Sequence, residues 1–227
     1  MIKGKLNFED FQKFNYILYD QYLFRNLLDI YESEKVKYKI LAINVFKEKQ
    51  IAPIVIRIDS MSSALLHDYY ENIYLLEQTE YINKFDQMAL VQNLIKTDLE
   101  LDDLAEQLTK LMLINKNTLF RFYDPRVLVH LYMSRDHQIL NNDIDRWLRR
   151  YRSIFDTWSF DLMGHSFEIN ALDLSSEQSI QKSRIQLKNF DQINSNIKEF
   201  CRKNTDFQAL MDFMEKQYLA FEVKNDR

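Results

Sequence analysis

Three aspartates stand where chemistry often sits, each closing an apolar run: Tyr16-Ile17-Leu18-Tyr19-Asp20, Ile54-Val55-Ile56-Arg57-Ile58-Asp59 and Leu119-Phe120-Arg121-Phe122-Tyr123-Asp124. If these runs are strands of one open α/β sheet, their ends are where ligands collect, and three convergent carboxylates could hold a divalent metal for phosphoryl hydrolysis. The competing reading is structural. An Asp after a strand caps the next helix or turns the chain, and Asp124-Pro125 is the expected N-cap with proline at the first helical position. The other reactive side chains are scattered. His67, His130, His137 and His165 lack the paired helical spacing and intervening Glu of a zinc protease, and read as surface or packing residues. Ser134, Asp136 and His137 are too close in sequence to form an orienting triad. Cys201 is the single cysteine, so neither an internal disulfide nor a thiolate metal cage is available. With two glycines, Gly4 and Gly164, no glycine-rich phosphate loop exists. The expectation is a chain without cofactor, metal or catalytic residues.

The elements that must position these residues alternate over the first half. Strands are expected at Tyr16–Asp20, Lys37–Leu41, Ile54–Asp59 and Met88–Ile95, with helices at Gln21–Glu34, after the Ser60–Ser63 caps, and at Leu101–Leu111. Leu111–Ile114 and Thr118–Tyr123 flank Asn115-Lys116-Asn117 as a hairpin. Pro125–Arg135 and Ile139–Arg152 read as helices, and Ser166–Ala171 as a strand after the turn residue Gly164. From Ser175 onward two amphipathic helices follow, opened by capping boxes at Ser175/Gln178 and Thr205/Gln208. This predicts an α/β (α+β) fold: a mixed, partly parallel sheet with flanking helices over residues 1–171, and a helical hairpin lobe over 172–227 that packs against it.

The 227 residues are 46% hydrophobic and 28% charged, an ordinary globular balance. The longest apolar runs fall far short of the roughly 20 residues that a membrane span needs, and the N-terminus lacks the apolar stretch of a signal peptide, so a cytoplasmic protein is expected. Charge is unevenly spread. Eleven acids face two lysines between Asp59 and Glu106, whereas seven arginines face four acids between Arg121 and Arg152. The basic run Arg146, Arg149, Arg150 and Arg152 is a candidate partner surface. A nucleic-acid groove is not expected at a sequence pI near 5.7. Aromatics, at 14%, suggest an aromatic-rich interaction surface. In the hairpin, Ile185, Ile193, Phe213, Leu219 and Phe221 lie off or at the edge of the main apolar stripes, and Ile193 and Phe213 are candidate partner contacts.

The run Leu119-Phe120-Arg121-Phe122-Tyr123-Asp124-Pro125-Arg126-Val127-Leu128 resembles the signature of the adaptor or chaperone family that loads toxic effectors onto the VgrG spike of bacterial type VI secretion systems. The similarity extends to Tyr16–Asp20, Ile51–Asp59 and Leu101–Leu111, covering about the first 150 residues. The chain departs from the pattern in lacking Trp and Gly residues before the helix at Leu101. The resemblance implies a non-enzymatic adaptor whose partners are a secreted effector and VgrG, with a PAAR-type tip as a further partner and no nucleic acid or membrane. Within the signature, Arg121, Phe122, Tyr123, Asp124, Pro125 and Arg126 then act as scaffold or partner contacts, together with Asp20 and Asp59. Arg126 in the first turn of a helix opposes the dipole, so a carboxylate such as Asp20 or Asp59 is expected to compensate it. The rival from a different class remains the metal-dependent phosphohydrolase built on Asp20, Asp59 and Asp124.

Overall fold

The computed structural model describes residues 2–20, 27–46, 48–75, 92–115, 118–136, 150–162, 164–171, 187–204 and 206–223. Seven strands form one sheet: β1 (Ile2–Gly4), β2 (Tyr16–Tyr19), β3 (Tyr38–Ile40), β4 (Ile54–Arg57), β5 (Gln92–Lys96), β8 (Thr157–Leu162) and β9 (His165–Asn170). Their order is β1-β9-β8-β5-β2-β4-β3. Between them lie α1 (Phe8–Phe11), α2 (Leu27–Ser33), α3 (Ser63–Tyr69, continued as a π-helical turn over Tyr70–Tyr74), α4 (Leu101–Met112) and α5 (Pro125–Asp136). A two-stranded hairpin, β6 (Leu113–Asn115) with β7 (Thr118–Leu119), separates α4 from α5, and α6 (Leu187–Lys203) and α7 (Phe207–Val223) close the chain.

Every pairing in the large sheet is antiparallel, which corrects the expectation of a partly parallel sheet. The reason lies in what continuous apolar runs report. Ile54, Val55 and Ile56 are all buried, as are all four residues of β2, because helices cover both faces of these strands. Burial on both faces accompanies parallel sheets, yet it does not dictate direction. One face carries Tyr16, Leu18, Val55, Ile95, Trp158, Phe160 and Phe167 into a core shared with α4, α5, α6 and α7. Ile17, Tyr19, Ile54, Ile56 and Leu94 point the other way, into a second core with α1, α2 and α3.

Strand β9 falls where Ser166–Ala171 is expected, whereas its partner β8 is not among the expected strands, although Thr157-Trp158-Ser159-Phe160-Asp161-Leu162 alternates polar and apolar as a strand should. Gly164, at φ 75°, takes the left-handed conformation in its turn. The expected strand over Thr118–Tyr123 stops at Leu119. Residues 120–124 turn instead, with the Phe122 N–H on the Phe120 carbonyl and the Asp124 N–H on the Arg121 carbonyl. Phe120 and Phe122 are therefore not a strand-alternating pair. The first residues of the helix expected at Gln21, the start of the strand at Met88, most of the helix Ile139–Arg152 and the Ser175/Gln178 box lie outside the described residues. Asp206, whose Oδ1 accepts the Ala209 N–H at 2.6 Å, caps α7.

The aromatic content serves the interior. Trp158, Tyr19, Tyr31, Tyr69, Tyr74, Tyr123, Tyr151, Tyr218, Phe11, Phe122 and Phe160 are its largest fully buried side chains, and the exposed large apolar residues among those described are Ile30, Ile43 and Leu219, none of them aromatic. The aromatic-rich surface expected from composition is not present among the described residues. The helical hairpin shares the first core through Ile193, Ile197, Leu210, Met211, Met214 and Tyr218. One buried polar contact joins three helices: the Nε2 of His130 on α5 lies 2.6 Å from Asn194 Oδ1 on α6, and its Nδ1 lies 2.6 Å from the Tyr218 hydroxyl on α7. An amide oxygen only accepts, so Nε2 carries the proton and Nδ1 accepts from Tyr218.

Burial holds His130 neutral, pushing its pKa down to about 4 against a smaller upward pull from Asn194. Unfolded, the same ring titrates near 6.5. Between those values the unfolded chain binds a proton that the folded one refuses, so stability present above pH 6.5 is lost as pH falls toward 4, by about 3 kcal/mol in full. Asp161, raised by burial, works in the opposite sense, so the difference between variants is the informative quantity. Urea denaturation from pH 7 to pH 4 is expected to show a shallower loss for His130→Gln than for the parent. Equal slopes would remove His130 from the acid response.

Candidate functional site

The signature forms a turn laid on the sheet. From the buried middle of β5, Asn93 donates from Nδ2 to the Tyr123 carbonyl at 2.9 Å, while its Oδ1 accepts the Trp158 indole N–H at 2.9 Å. Phe122, fully buried, packs against Tyr151 and Trp158 with ring centroids 5.9 and 5.8 Å apart. Tyr151 lies against Phe155 at 4.5 Å. Asp124 follows as the N-cap: its carbonyl accepts the N–H groups of Val127 and Leu128 at 2.8 and 2.9 Å, opening α5 with Pro125 at its first position.

Each of the three aspartates is held by an arginine. Arg121 Nη2 meets Asp20 Oδ2 at 2.5 Å. Asp124 receives the Arg126 backbone N–H at 3.0 Å and Nε at 2.8 Å on Oδ1, and Nη2 at 2.5 Å on Oδ2, a fork closed within the first helical turn. Arg57 joins Asp59 at 2.8 Å and Glu100 at 2.6 Å. Arg126 is thus compensated, as the dipole argument requires, but by Asp124 and not by Asp20 or Asp59. Because β2 and β4 run antiparallel, with Tyr16 opposite Arg57 and Tyr19 opposite Ile54, Asp20 and Asp59 stand at opposite ends of the sheet. The convergent triad of carboxylates does not form. Among the described residues no three His, Cys, Asp or Glu side chains gather as a metal set.

Burial raises the Tyr123 phenol well above its ordinary range, helped by the Asp20 charge and opposed by Arg121. Burial pulls the Arg121 guanidinium down, but Tyr123 and Asp20 outweigh it and leave it raised. Both shifts keep the cation and the neutral phenol in place at any working pH. With Asp20 nearly buried and about half of the Arg121 side chain in solvent, this is an anchored cation with an exposed edge. Such an arrangement suits contact with a partner carboxylate.

The other candidates are dispersed. Arg146 and Arg149 lie outside the described residues, as does His137. Arg150 is exposed and Arg152 half-buried. Ile193 is fully buried in the shared core, so its side chain is committed to packing and is not presented to a partner. Phe213 is half-buried and stacks on Phe200 at 4.4 Å. The Ile185 and Phe221 side chains lie outside the described residues. His67 packs against Phe8 and His165 stacks on Phe207, both packing roles as expected.

Two polar groups central to the arrangement have no sequence signature: Asn93, and a cluster on the second face of the sheet. There the Ser166 hydroxyl bonds Asp161, the Tyr74 hydroxyl lies 3.4 Å from Ser166, and Lys5 bonds the Tyr74 carbonyl with its amine 4.2 Å from the ring centroid. The alternation of β8 does place Asp161 opposite Trp158 and Phe160, and that was the available signal.

Compared with family models, with curated proteins and with solved structures, the chain finds no match in any of the three. No described helix is long and apolar enough to cross a membrane.

Two measurements probe this site. Asn93→Leu strands a buried carbonyl and a buried indole N–H, and is expected to lower unfolding free energy by about 2–4 kcal/mol. Arg121→Ala leaves Asp20 without its cation and is expected to cost about 1–3 kcal/mol, with Asp20→Asn/Arg121→Ala less damaging than the sum of the single changes. Strict additivity would show that the pair is not coupled.

Proposed function

We propose that the chain is a cytoplasmic, non-enzymatic adaptor that binds a toxic effector and loads it onto the VgrG spike of a type VI secretion system. One observation carries the reading: the four segments that resemble the adaptor family pack as one unit. Arg121 of the signature pairs with Asp20 at the end of β2, β2 pairs with the Pro53-led strand β4, and α4 lies over β3 and β4. A shared sequence pattern has its simplest physical cause in a shared scaffold of this kind. The aspartates of the rival hydrolase reading are consumed by arginine pairs, so that reading loses the ligand set on which it was built.

Recognition by this scaffold is led by charge. The described surface offers isolated apolar residues, whereas Arg121 presents a braced guanidinium. Co-expression of the tagged chain with a VgrG spike protein and a toxic effector from the same genome is the direct test. Both proteins are expected to co-purify with the chain, and Arg121→Glu, if still folded by circular dichroism, is expected to weaken capture at least tenfold. A folded chain that captures neither, or one that turns over phosphoesters with magnesium or manganese and loses this in Asp124→Asn, overturns the proposal.

A further inference from the structure

A cavity of about 470 Å³ opens between the C-terminal half of α4 and residues 150–154. Its volume falls within the range of about 300–1,000 Å³ typical of ligand sites. Leu111, Leu113 and Ile154 form its apolar lining, and Lys110, Arg150 and Ser153 are its exposed polar side chains. No acid lines it. Lys110 shares its charge with Glu106 one helical turn away at 2.5 Å, whereas Arg150 has no ion pair with a carboxylate among the described residues. The site therefore combines one locally balanced and one uncompensated cation above an apolar floor.

We infer that this cavity binds an extended peptide segment in which an acidic residue is flanked by bulky aliphatic ones. The chemistry follows from the lining. A bare anion would leave the Leu and Ile floor unused, and a purely apolar ligand would desolvate Arg150 without offering it a partner. An aliphatic–acidic–aliphatic segment satisfies both. An extended backbone is favoured by Leu113, which begins β6. Among the described residues that strand pairs with β7 alone; the Leu113 N–H is held by the Thr109 carbonyl, and the edge beyond it is where an added strand can pair. The inference is argued from the cavity and its charges and does not depend on the secretion reading.

The test uses the full chain and the acetylated, amidated pentapeptide Ser-Leu-Asp-Leu-Ser, with Ser-Leu-Asn-Leu-Ser as its uncharged counterpart, followed by amide ¹H–¹⁵N spectra. Saturable shifts at Gln107, Lys110, Leu113 and Ser153 are expected with the Asp peptide. Binding is expected to weaken at least tenfold for the Asn peptide, and similarly for the Lys110→Gln/Arg150→Gln variant, whose positions are exposed and whose unchanged melting temperature is checked first. Absence of saturable shifts at these residues, equal binding of the two peptides, or binding unaffected by removal of both cations overturns the inference.

Discussion

The buried amide of Asn93 is the contact on which the order of the molecule rests. Its two ends satisfy the Tyr123 carbonyl and the Trp158 indole inside the core, where each unmade bond costs about 1–3 kcal/mol. The bond to Tyr123 fixes the signature turn on the sheet, and the turn sets where Asp124 starts α5. Two turns further on, α5 presents His130 to Asn194 and Tyr218, which ties in the last two helices. A directional hydrogen bond is suited to this task. Apolar packing around Phe122 and Trp158 supplies most of the free energy but tolerates sliding, whereas a buried donor and acceptor tolerate one register.

Charge is handled by the same logic of local satisfaction. Asp20, Asp59 and Asp124 follow strand or turn residues and each takes the nearest guanidinium: Arg121 across the sheet edge, Arg57 two residues back, Arg126 two residues on. The Asp124 fork also offsets the unfavourable placement of a cation in the first turn of α5, because a carboxylate at the N-cap interacts well with the helix dipole. At Asp20 and Asp124, whose side chains are buried, what remains for contact with other molecules is the outer edge of Arg121 and Arg126, whereas in the third pair it is the Asp59 carboxylate that faces solvent.

The elements were largely legible and their arrangement was not. The periodicity of Leu101, Leu104, Leu108 and Leu111 specifies α4 unambiguously, and the Ile54–Ile56 run specifies a buried strand. The direction of that strand was hidden, because burial on both faces looks the same from either end. Thr157–Leu162 carried a readable alternation, confirmed by Gly164 after it, and a parallel frame left no place for another hairpin. Asn93 was illegible for a different reason: an amide among Val91, Leu94 and Ile95 reads as an interruption until the two groups it serves are known. Likewise the signature's spacing announced a cap and a turn, while the choice of Asp124 over Asp20 for Arg126 depends on a tertiary approach that spacing does not encode. The surplus of aromatics pointed outward on composition alone, although a sheet with a core on each side has twice the interior to fill.

That double core also bears on the proposed recognition of a partner. With the described large aromatics spent on two interiors, little apolar surface remains among the described residues to drive association, and a formal net charge of −4 repels an acidic partner at long range. Such repulsion fades beyond about 8 Å at physiological salt, so the partner feels mainly the charges it touches. Lys39 and Lys110 are already engaged with Asp102 and Glu106, and Arg57 with two acids, whereas Arg121 and Arg150 are among the described cations with capacity for a further carboxylate. Arg121 is braced by Asp20 and Arg150 stands above an apolar floor. In both places the cation is coupled to a second feature that a bare anion cannot exploit. A partner of the proposed kind would therefore be selected by short-range combinations of charge with backbone or aliphatic contact, and not by the field of the whole molecule.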